Sequence, residues 1–245
     1  MPLSADTCTR SHWRWRLELV LLACAAAPAH ADELKPYQAT YNGIWHGMTV
    51  AVSNLKLEHT GAQSWTYTSK SEPRGLGRMA SGIFPPLQMS VVQLTATGVL
   101  PQSYRSEGGD ADKSINLTYD WQRQRVTGTY EGTSVDLPLT PQVQDDASVQ
   151  LALMAELLAG RTPQGLELID KNSVREYKFT REDAATVPTP LGAIATIVYR
   201  AQKAYSPRVT RFWCAPERGY IPMKVEQTKG SDVQWTLTIQ SLTRD

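Results

Sequence analysis

The sequence predicts an all-β, mainly antiparallel fold: a curved half-open β-barrel or β-roll that holds one buried helix. Three observations predict it. From Asp32 onward, short runs alternate apolar and polar residues with a period of two, and glycine, proline, aspartate and asparagine separate them at hairpin spacing. One segment alone has a clear helical pattern, and it is apolar on nearly every side. No strands alternate with long helices, which argues against a βαβ architecture.

The first 31 of the 245 residues have the layout of a secretory signal peptide. Arg10, Arg14 and Arg16 precede the short apolar run LVLLACAAAPA, and residues 29–31 form a small-x-small cleavage site. We therefore expect cleavage after Ala31, a soluble periplasmic protein, and a single β-rich domain that spans residues 32–245.

A second cysteine-containing motif within this leader leaves an alternative open. The stretch LLAC, which ends at Cys24, is close to the sequence at which bacterial lipoproteins are cut and acylated. The alternative location is therefore a membrane-anchored lipoprotein acylated at Cys24, with the same domain tethered to the membrane. A cut at Cys24 would leave a very short apolar run, so we favour cleavage after Ala31.

The predicted strands follow one another along the mature chain. They are YQATY, GMTVAVSNLKLEH, GAQSWTYTSKSE, MSVVQLTATG, SINLTYDW, QRVTGTYEG and TSVDLPL, then GLELI, VREYKFTRED, GAIATIVYRAQ, RVTRFWCA, YIPMKVEQTKG and VQWTLTIQSL. In GAQSWTYTSKSE the alternation puts Trp65 and Tyr67 on one face, with threonine and serine on the other. Strands with gaps of hairpin length predict an antiparallel sheet that is curved or closed.

The one clear helix is predicted over residues 146–159, within QDDASVQLALMAELLAG. Asp145 or Asp146 is the expected N-cap, and Gly160 is the expected end. Its apolar residues cover nearly every face, which is typical of a buried helix. We expect it to lie against or inside the concave face of the bent sheet.

The charge balance gives no indication of a polyanionic partner. The whole chain has 25 basic and 24 acidic side chains, and cleavage removes three arginines and two acidic residues, so the mature chain is formally neutral. We expect no nucleic acid partner, no cofactor and no transmembrane helix. The oligomeric state is left open.

Cleavage leaves one cysteine, Cys214, and two histidines, His46 and His59. A lone cysteine cannot form an internal disulfide, and no pair of these three residues has the spacing of metal ligands. A nucleophilic thiol would need a histidine close in space, which the sequence neither shows nor rules out. We interpret Cys214 as a small buried residue that shares a strand face with Phe212, and we assign no metal-binding residue.

Three carboxylates and one histidine are the candidates for catalysis: Asp120, Asp145, Asp146 and His46. Paired carboxylates can hydrolyse a sugar bond, so a hydrolase that acts on polysaccharide or cell wall is one alternative function. Each candidate also has a simpler role, because Asp120 fits a turn, the adjacent pair fits a helix cap and His46 fits a strand end. Nucleophile-elbow and zinc-protease motifs are missing from the sequence, and we assign no catalytic or cofactor-binding residue.

Two further patterns have a structural and a functional interpretation. The glycines of RGLGRMASG superficially resemble a phosphate loop, but their spacing fits neither a P-loop nor a dinucleotide site, which favours a flexible connector.

The basic residues of YRAQKAYSPRVTRFW are interpreted as the solvated face of a hairpin, with contact to an anionic lipid head as the alternative. These residues are Gly75, Gly77 and Gly82 in the first pattern, and Arg200, Lys203, Arg208 and Arg211 in the second.

The chain also carries an ordered set of short motifs. They are Tyr-x-Ala-x-Tyr (Tyr37 to Tyr41), an Asp-Trp pair (Asp120, Trp121), Gln-Asp with a nearby serine (Gln144, Asp145, Ser148), Thr-Pro-x-Gly (Thr189 to Gly192) and Trp followed by Tyr-x-Pro (Trp213, Tyr220, Pro222). In this order they resemble an uncharacterised bacterial envelope family, the domain of unknown function numbered three-one-zero-eight. The resemblance runs through nearly the whole mature chain and implies an exported β-rich protein without an assigned activity. Cys214 departs from it, because a small aliphatic residue is expected there.

A bent sheet with a helix in its concave side is also similar in architecture to the periplasmic lipoprotein carriers and their outer-membrane acceptors, which hold acyl chains. The exported neutral chain, the buried helix and the abundant aromatic residues lead us to expect binding rather than catalysis. The expected ligand is an apolar or amphipathic molecule of the envelope, such as a lipid or acyl chain. The hydrolase above and a scaffold in an envelope complex are the alternatives.

Overall fold

The computed structural model describes residues 34–75, 83–108, 111–163 and 165–244. All of them belong to one compact unit, Ala31–Asp245. The predicted signal peptide, with Cys24, lies outside the described residues and stays a prediction. Gly77 and Gly82 of the predicted glycine connector also lie outside them.

Fifteen strands and one α-helix make up most of the described chain. The strands are β1 (Tyr37–Trp45), β2 (Met48–His59), β3 (Ser64–Pro73), β4 (Leu87–Thr95), β5 (Gly98–Glu107), β6 (Ile115–Asp120), β7 (Arg125–Tyr130), β8 (Thr133–Pro138), β9 (Val143–Gln144), β10 (Gly165–Asp170), β11 (Ser173–Thr189), β12 (Gly192–Lys203), β13 (Arg208–Ala215), β14 (Ile221–Lys229) and β15 (Asp232–Arg244). The helix, α1 (Ser148–Leu158), lies between β9 and β10 in the chain.

All of these strands form one sheet, in the order β8-β7-β6-β5-β4-β3-β2-β1-β15-β14-β13-β12-β11-β10-β9. β1 and β15 pair in the middle part of the sheet. From β1, the strands β2 to β8 follow one another to one edge. On the other side of β15, the strands β14 to β9 follow one another to the opposite edge. Among the described strands only β9 and β10 pair in parallel. Because β8 and β9 are free edges, the sheet is not closed, and the predicted half-open all-β fold is confirmed.

Period-two alternation places one face of each strand in the core. In β1, Tyr37, Ala39 and Tyr41 are buried, while the residues between them are exposed or half-buried. The pairing register shifts within six of the strand pairs. Bulges of this kind bend a strand and increase its twist, so they curve the sheet around the face that carries the core.

Helix α1 packs against the concave face and contacts β5 and β9. It is apolar on all sides, and Leu151, Leu153 and Met154 are at most 2% exposed. A helix of this kind is stable only when it is covered all round. The predicted buried helix within residues 146–159 is confirmed. Among the described helices, none combines the length and apolar character that crossing a membrane requires.

The helix ends at Gly160, as predicted. Gly160 has a φ of 68°, in the left-handed region that glycine adopts without strain. Its N–H donates to the carbonyl of Leu157, and the N–H of Arg161 donates to the carbonyl of Glu156. These two bonds form a Schellman motif, which satisfies carbonyl groups that the last turn leaves free.

One end of the sheet carries several strand connections, and we call the four that join neighbouring strands between β2 and β10 in the sheet order the turn rim. The pairings of Tyr177 with Lys203, of Arg208 with Lys229 and of Ile44 with Thr236 place them side by side. They are the turns at residues 46–47, 171–172, 204–207 and 230–231, which join β1–β2, β10–β11, β12–β13 and β14–β15. Because β9 runs parallel to β10, the chain leaves β9 towards this end, and α1 begins there.

Candidate ligand-binding cavity

The N-terminus of α1 is capped by a buried carboxylate, that of Asp145. Its Oδ1 accepts hydrogen bonds from the backbone N–H groups of Ala147 (2.9 Å) and Ser148 (2.7 Å). Its Oδ2 accepts one from the hydroxyl of Ser90 on β4 (2.8 Å). In return, Ser148 Oγ accepts a hydrogen bond from the Asp145 backbone N–H (2.9 Å), as in a capping box. The prediction that Asp145 or Asp146 caps the helix is confirmed for Asp145.

Burial and hydrogen bonding act on this carboxylate in opposite directions. Asp145 is 1% exposed, and the loss of water raises its pKa from 3.8 to about 6. The hydrogen bonds from Ser148, Ser90 and Ala147 oppose that rise, because they stabilise the ionised form. The positive end of the helix dipole also favours a negative charge here. A single buried group therefore joins the start of α1 to the middle of β4.

The next residue, Asp146, faces an internal cavity instead of the cap. It is exposed to that space, and no described residue forms a hydrogen bond or ion pair with its carboxyl group. Desolvation raises the pKa of Asp146 from 3.8 to about 7, and the negative charges of Asp145, Asp170 and Glu131 add to the rise. The residue is also exposed, and its contact with solvent opposes the desolvation. The desolvation and the neighbouring acidic groups both favour the protonated form of this carboxyl group.

The cavity has a volume of about 350 Å³ and lies between α1 and the concave face of the sheet. Strands β2, β3 and β4 line one side, strands β10 to β15 line the other, and the first turn of α1 forms the floor. The lining residues nearest the turn rim include Tyr177, Gln227 and Trp235, and these are half-buried. These three residues place one part of the cavity close to the turn rim.

The walls of the cavity are mixed: strands β10 to β15 contribute mostly apolar side chains, and strands β2 to β4 contribute several polar ones. Prominent apolar side chains are Leu55, Phe84, Phe179, Phe212, Val225 and Leu237, and the polar ones include Ser53, Ser69, Ser71, Gln88, Gln150 and Gln227. Asp146 is the only charged side chain among the described lining residues, and no histidine or cysteine is among them. Such a lining suits a molecule with an apolar body and a polar end.

The floor of the cavity also presents neutral hydrogen-bonding groups. The amide of Gln150 donates to the hydroxyl of Tyr37 (3.2 Å), and Tyr37 also interacts with the hydroxyl of Tyr67. Gln150 and Tyr67 both line the cavity. Burial raises the pKa of both tyrosines, so their hydroxyl groups stay neutral at physiological pH.

Several of these lining residues were not predicted from the sequence. Ser69 and Ser71 lie two and four residues after Tyr67 and share its strand face, so the prediction that serine lies opposite Tyr67 is wrong for these two positions. The period of two contained this signal, because odd-numbered residues of β3 point inward. Gln150 was visible as a polar residue in an apolar helix, but nothing in the sequence indicated its hydrogen-bond partner.

Cys214 is a packing residue, as predicted. It is fully buried in the main core on the same strand face as Phe212, and burial raises the pKa of its thiol. A buried thiol with a raised pKa is a poor nucleophile. In the described parts of the chain, no group of three or more histidine, cysteine or acidic residues is placed to hold a metal ion.

The other two hydrolase candidates lie in turns. Asp120 Oδ1 accepts hydrogen bonds from the backbone N–H groups of Gln122 (3.1 Å) and Arg123 (2.8 Å), which is the predicted turn role. His46 follows the end of β1, where it is exposed and contacts the ring of Trp45. Neither residue lines the cavity that Asp146 faces. The structure therefore does not bring these candidates together in one cleft.

The basic residues of the β12–β13 hairpin are mostly paired. Arg200 and Arg211 both approach Glu182, with shortest distances from guanidinium nitrogen to carboxylate oxygen of 4.0 Å and 2.8 Å. Lys203 forms an ion pair with an aspartate at 3.1 Å. Arg208 is exposed and has no ion-pair partner among the described residues. The hairpin therefore has the predicted solvated face of basic residues, and of the four residues only Arg208 has no ion-pair partner among the described residues.

One family model agrees with the motifs found in the sequence. A model described as a protein of unknown function, DUF3108, matches residues 36–237, which is most of the chain. All of the ordered motifs lie within this span. No curated protein matches the chain.

Two solved bacterial structures are similar to the chain at low sequence identity. A provisionally assigned exported protein with a YmcC-like fold from Bacteroides fragilis is 12% identical, with a TM-score of 0.35, over 86% of this chain and 96% of that one. A provisionally assigned outer membrane lipoprotein-sorting protein domain from Vibrio parahaemolyticus is 11% identical, with a TM-score of 0.31, over 88% of each chain. Scores this low carry no argument about ligand or activity.

Removal of the cap carboxylate should weaken the joint between α1 and β4. Asp145→Ala leaves two backbone N–H groups and the Ser90 hydroxyl without their acceptor, so we expect the free energy of unfolding in urea to fall by about 2 kcal/mol. The matched control is Asp136→Ala, which breaks an exposed ion pair with Arg125 and should cost less than about 1 kcal/mol. Equal losses in the two variants would contradict the structural role of Asp145.

Asp146 should make the protein less stable as the pH rises. Its pKa of about 7 in the folded state exceeds 3.8, the ordinary value, so between these values the folded chain binds more protons than the unfolded chain. The free energy of unfolding must then fall as the pH rises through this range, and Asp145 contributes with the same sign. The Asp146→Asn variant should have a higher Tm than the wild type at about pH 8. The difference between its Tm values at about pH 5 and about pH 8 should therefore be smaller than in the wild type.

The matched control for this experiment is Asp183→Asn, which changes an exposed aspartate on β11. It should keep the pH dependence of the wild-type Tm. If Asp146→Asn keeps it as well, then Asp146 does not titrate in this range, and the desolvated environment assigned to it is wrong.

Proposed function

We propose that this chain, which belongs to the DUF3108 family of proteins of unknown function, binds a lipid or acyl chain of the bacterial envelope in its central cavity. The proposal rests on the size and the lining of this cavity. The cavity has about 350 Å³ of space, one wall of mostly apolar side chains, an opposite wall with several polar ones, and one carboxyl group on its floor. Its volume lies within the range of about 300–1,000 Å³ that is usual for small-molecule sites.

The apolar wall supplies the binding energy in this proposal. Burial of apolar surface is favourable by roughly 25 cal/mol per Å², so a chain of methylene groups gains from each segment that leaves water. Phe179 and Phe212 lie 6.3 Å apart between ring centroids with nearly parallel planes, and both line the cavity. Flat aromatic and branched aliphatic walls of this type accept a flexible apolar chain without directional contacts.

The floor of the cavity accounts for the polar end of the ligand. Gln150 offers an amide group, and Asp146 offers a carboxyl group whose pKa is raised. A headgroup with hydroxyl, amide or amine groups finds partners there, whereas an alkane finds none. This combination favours an amphipathic ligand over a purely apolar one.

The lining residues also support binding rather than catalysis. Asp146 is the only charged group among those described, and general acid–base hydrolysis of a sugar would need a second carboxyl group across the site. We therefore propose a non-enzymatic carrier or sensor. Its proposed location is the periplasm, which rests on the predicted signal peptide and on cleavage after Ala31.

A bulky side chain inside the cavity should block binding of the ligand. Ser69→Trp places an indole ring beside Tyr67 on the inner face of β3. Thr68→Trp is the matched control, because it adds a ring of the same size to the opposite face of the same strand. With a fluorescent fatty acid as the probe, we expect the Kd of Ser69→Trp to rise by at least about tenfold, equivalent to ~1.4 kcal/mol.

The control variant should bind the fluorescent fatty acid as the wild type does, and both variants should keep a cooperative thermal transition. The proposal fails if the wild-type chain does not bind the probe. It also fails if the two tryptophan variants bind the probe equally well, because the probe would then lie outside the cavity.

A further inference from the structure

The exposed apolar side chains of this protein are concentrated at one end. Among the described residues, three large apolar side chains are exposed: Met48 (48%), Tyr205 (107%) and Val233 (47%). Isolated exposed apolar residues are ordinary on protein surfaces and need no explanation. Here, however, each of the three lies within or beside a turn of the turn rim, and none lies at the opposite end of the strands.

Strand pairing shows that these positions form one continuous edge. Met48 begins β2, Val233 lies at the start of β15, and Tyr205 is in the β12–β13 turn. In the sheet, β2 and β15 are separated only by β1, and β15 and β13 only by β14. Neighbouring strands lie about 4.8 Å apart, so the three side chains follow one another along the rim at intervals of roughly two or three strands.

Tyr205 combines a left-handed backbone conformation with a fully exposed ring. Its φ is 58°, in the left-handed region that residues other than glycine rarely adopt. Its side chain is fully exposed, so no packing of the ring offsets that strain within the protein. A contact outside the chain would explain why an aromatic residue occupies this turn.

The same rim carries unpaired positive charge. Lys171, Arg208 and Lys229 are exposed and have no ion-pair partner among the described residues. Arg208 and Lys229 face each other directly in the β13–β14 pairing. Like charges placed opposite each other destabilise a sheet, so this pair is not explained by stability and provides an attractive site for an anion.

The acidic residues of the rim do not cancel this charge. Asp170 pairs with Lys203 at 3.1 Å, and Asp232 is opposite Lys229 in the sheet but forms no ion pair with it. The four turns and the residues beside them therefore keep a net positive charge, while the acidic residues Asp146 and Glu131 lie near Asp170 at the same end. Anionic lipids attract such cations by about 1 kcal/mol for each lysine or arginine near the surface.

We infer that the turn rim docks on the surface of a bilayer that contains anionic lipids, with Tyr205, Met48 and Val233 in the interface and Arg208 and Lys229 against the phosphate groups. Tyrosine is a residue that membrane interfaces favour, because its ring is apolar and its hydroxyl group is polar. The inference concerns the outer surface alone, so it stands or falls independently of what the cavity binds.

Vesicle flotation with residues 32–245 tests this inference, because this segment contains the whole described core and lacks Cys24. We expect the protein to float with vesicles of phosphatidylglycerol and phosphatidylethanolamine, less so at high salt, and to stay at the bottom with vesicles of phosphatidylcholine alone. The double variant Arg208→Glu with Lys229→Glu should lower the bound fraction by at least about tenfold. The triple variant Met48→Ser, Tyr205→Ser and Val233→Ser should also lower it.

The matched control for the charge variant is Lys35→Glu with Arg123→Glu. It makes the same change in net charge at the opposite end of the strands, and it should float as the wild type does. All of the substituted positions are exposed, so the variants should keep the wild-type Tm, which checks that they fold.

A fluorescent label gives the orientation of the docked protein. Cys214 is fully buried, so a thiol reagent should label only the new cysteine of Tyr205→Cys in the segment 32–245. We expect the emission of an attached nitrobenzoxadiazole group to rise and shift to the blue when anionic vesicles are added. The same group attached through Ala62→Cys, in the exposed β2–β3 turn at the opposite end, should not respond.

Three outcomes would overturn the inference. The wild-type segment does not float with anionic vesicles, or the charge variant at the rim floats as well as its control, or the label at position 62 responds as strongly as the label at position 205.

Discussion

The arrangement of this protein depends on one buried carboxylate, that of Asp145, at the start of the only described α-helix. The curved sheet offers an apolar concave face, and a helix that is apolar on all sides can pack into it in many orientations. Hydrogen bonds to Asp145 from the first turn of α1 and from Ser90 on β4 select one of them. These bonds fix the point at which the helix starts. The first turn of α1 then forms the floor of the cavity, and the space between this turn and the sheet is not filled by the helix.

That constraint also determines the chemistry of the open space. Asp146 directly follows the cap, so its side chain is directed away from the helix terminus and towards the cavity. Partial desolvation and the nearby acidic groups raise its pKa to about 7. Gln150, one turn later, donates to Tyr37 and adds a second polar group to the floor of the cavity. The proposed preference for amphipathic ligands thus follows from the way in which the helix begins.

Much of the fold could be predicted from the sequence, and less of the site. The alternation of β1 and the all-round apolar character of α1 are local patterns, and they predict a strand and a buried helix directly. The cap was also local, because Asp145 and Ser148 are only three residues apart. The cavity was not predictable, because it depends on how far the bulged strands bend the sheet and on contacts between distant segments, such as Ser90 with Asp145. Sequence patterns indicate which face of a strand is buried, but they do not show whether that face meets another side chain or an empty space.

The central claim is that the curved sheet encloses a cavity that an envelope lipid occupies. The most direct measurement is mass spectrometry of an organic-solvent extract of the exported, purified wild-type chain, with Ser69→Trp purified in parallel. The account predicts a lipid or fatty acid in stoichiometric amount from the wild type and much less from the variant. No lipid from the wild type, or the same amount from both proteins, would contradict it.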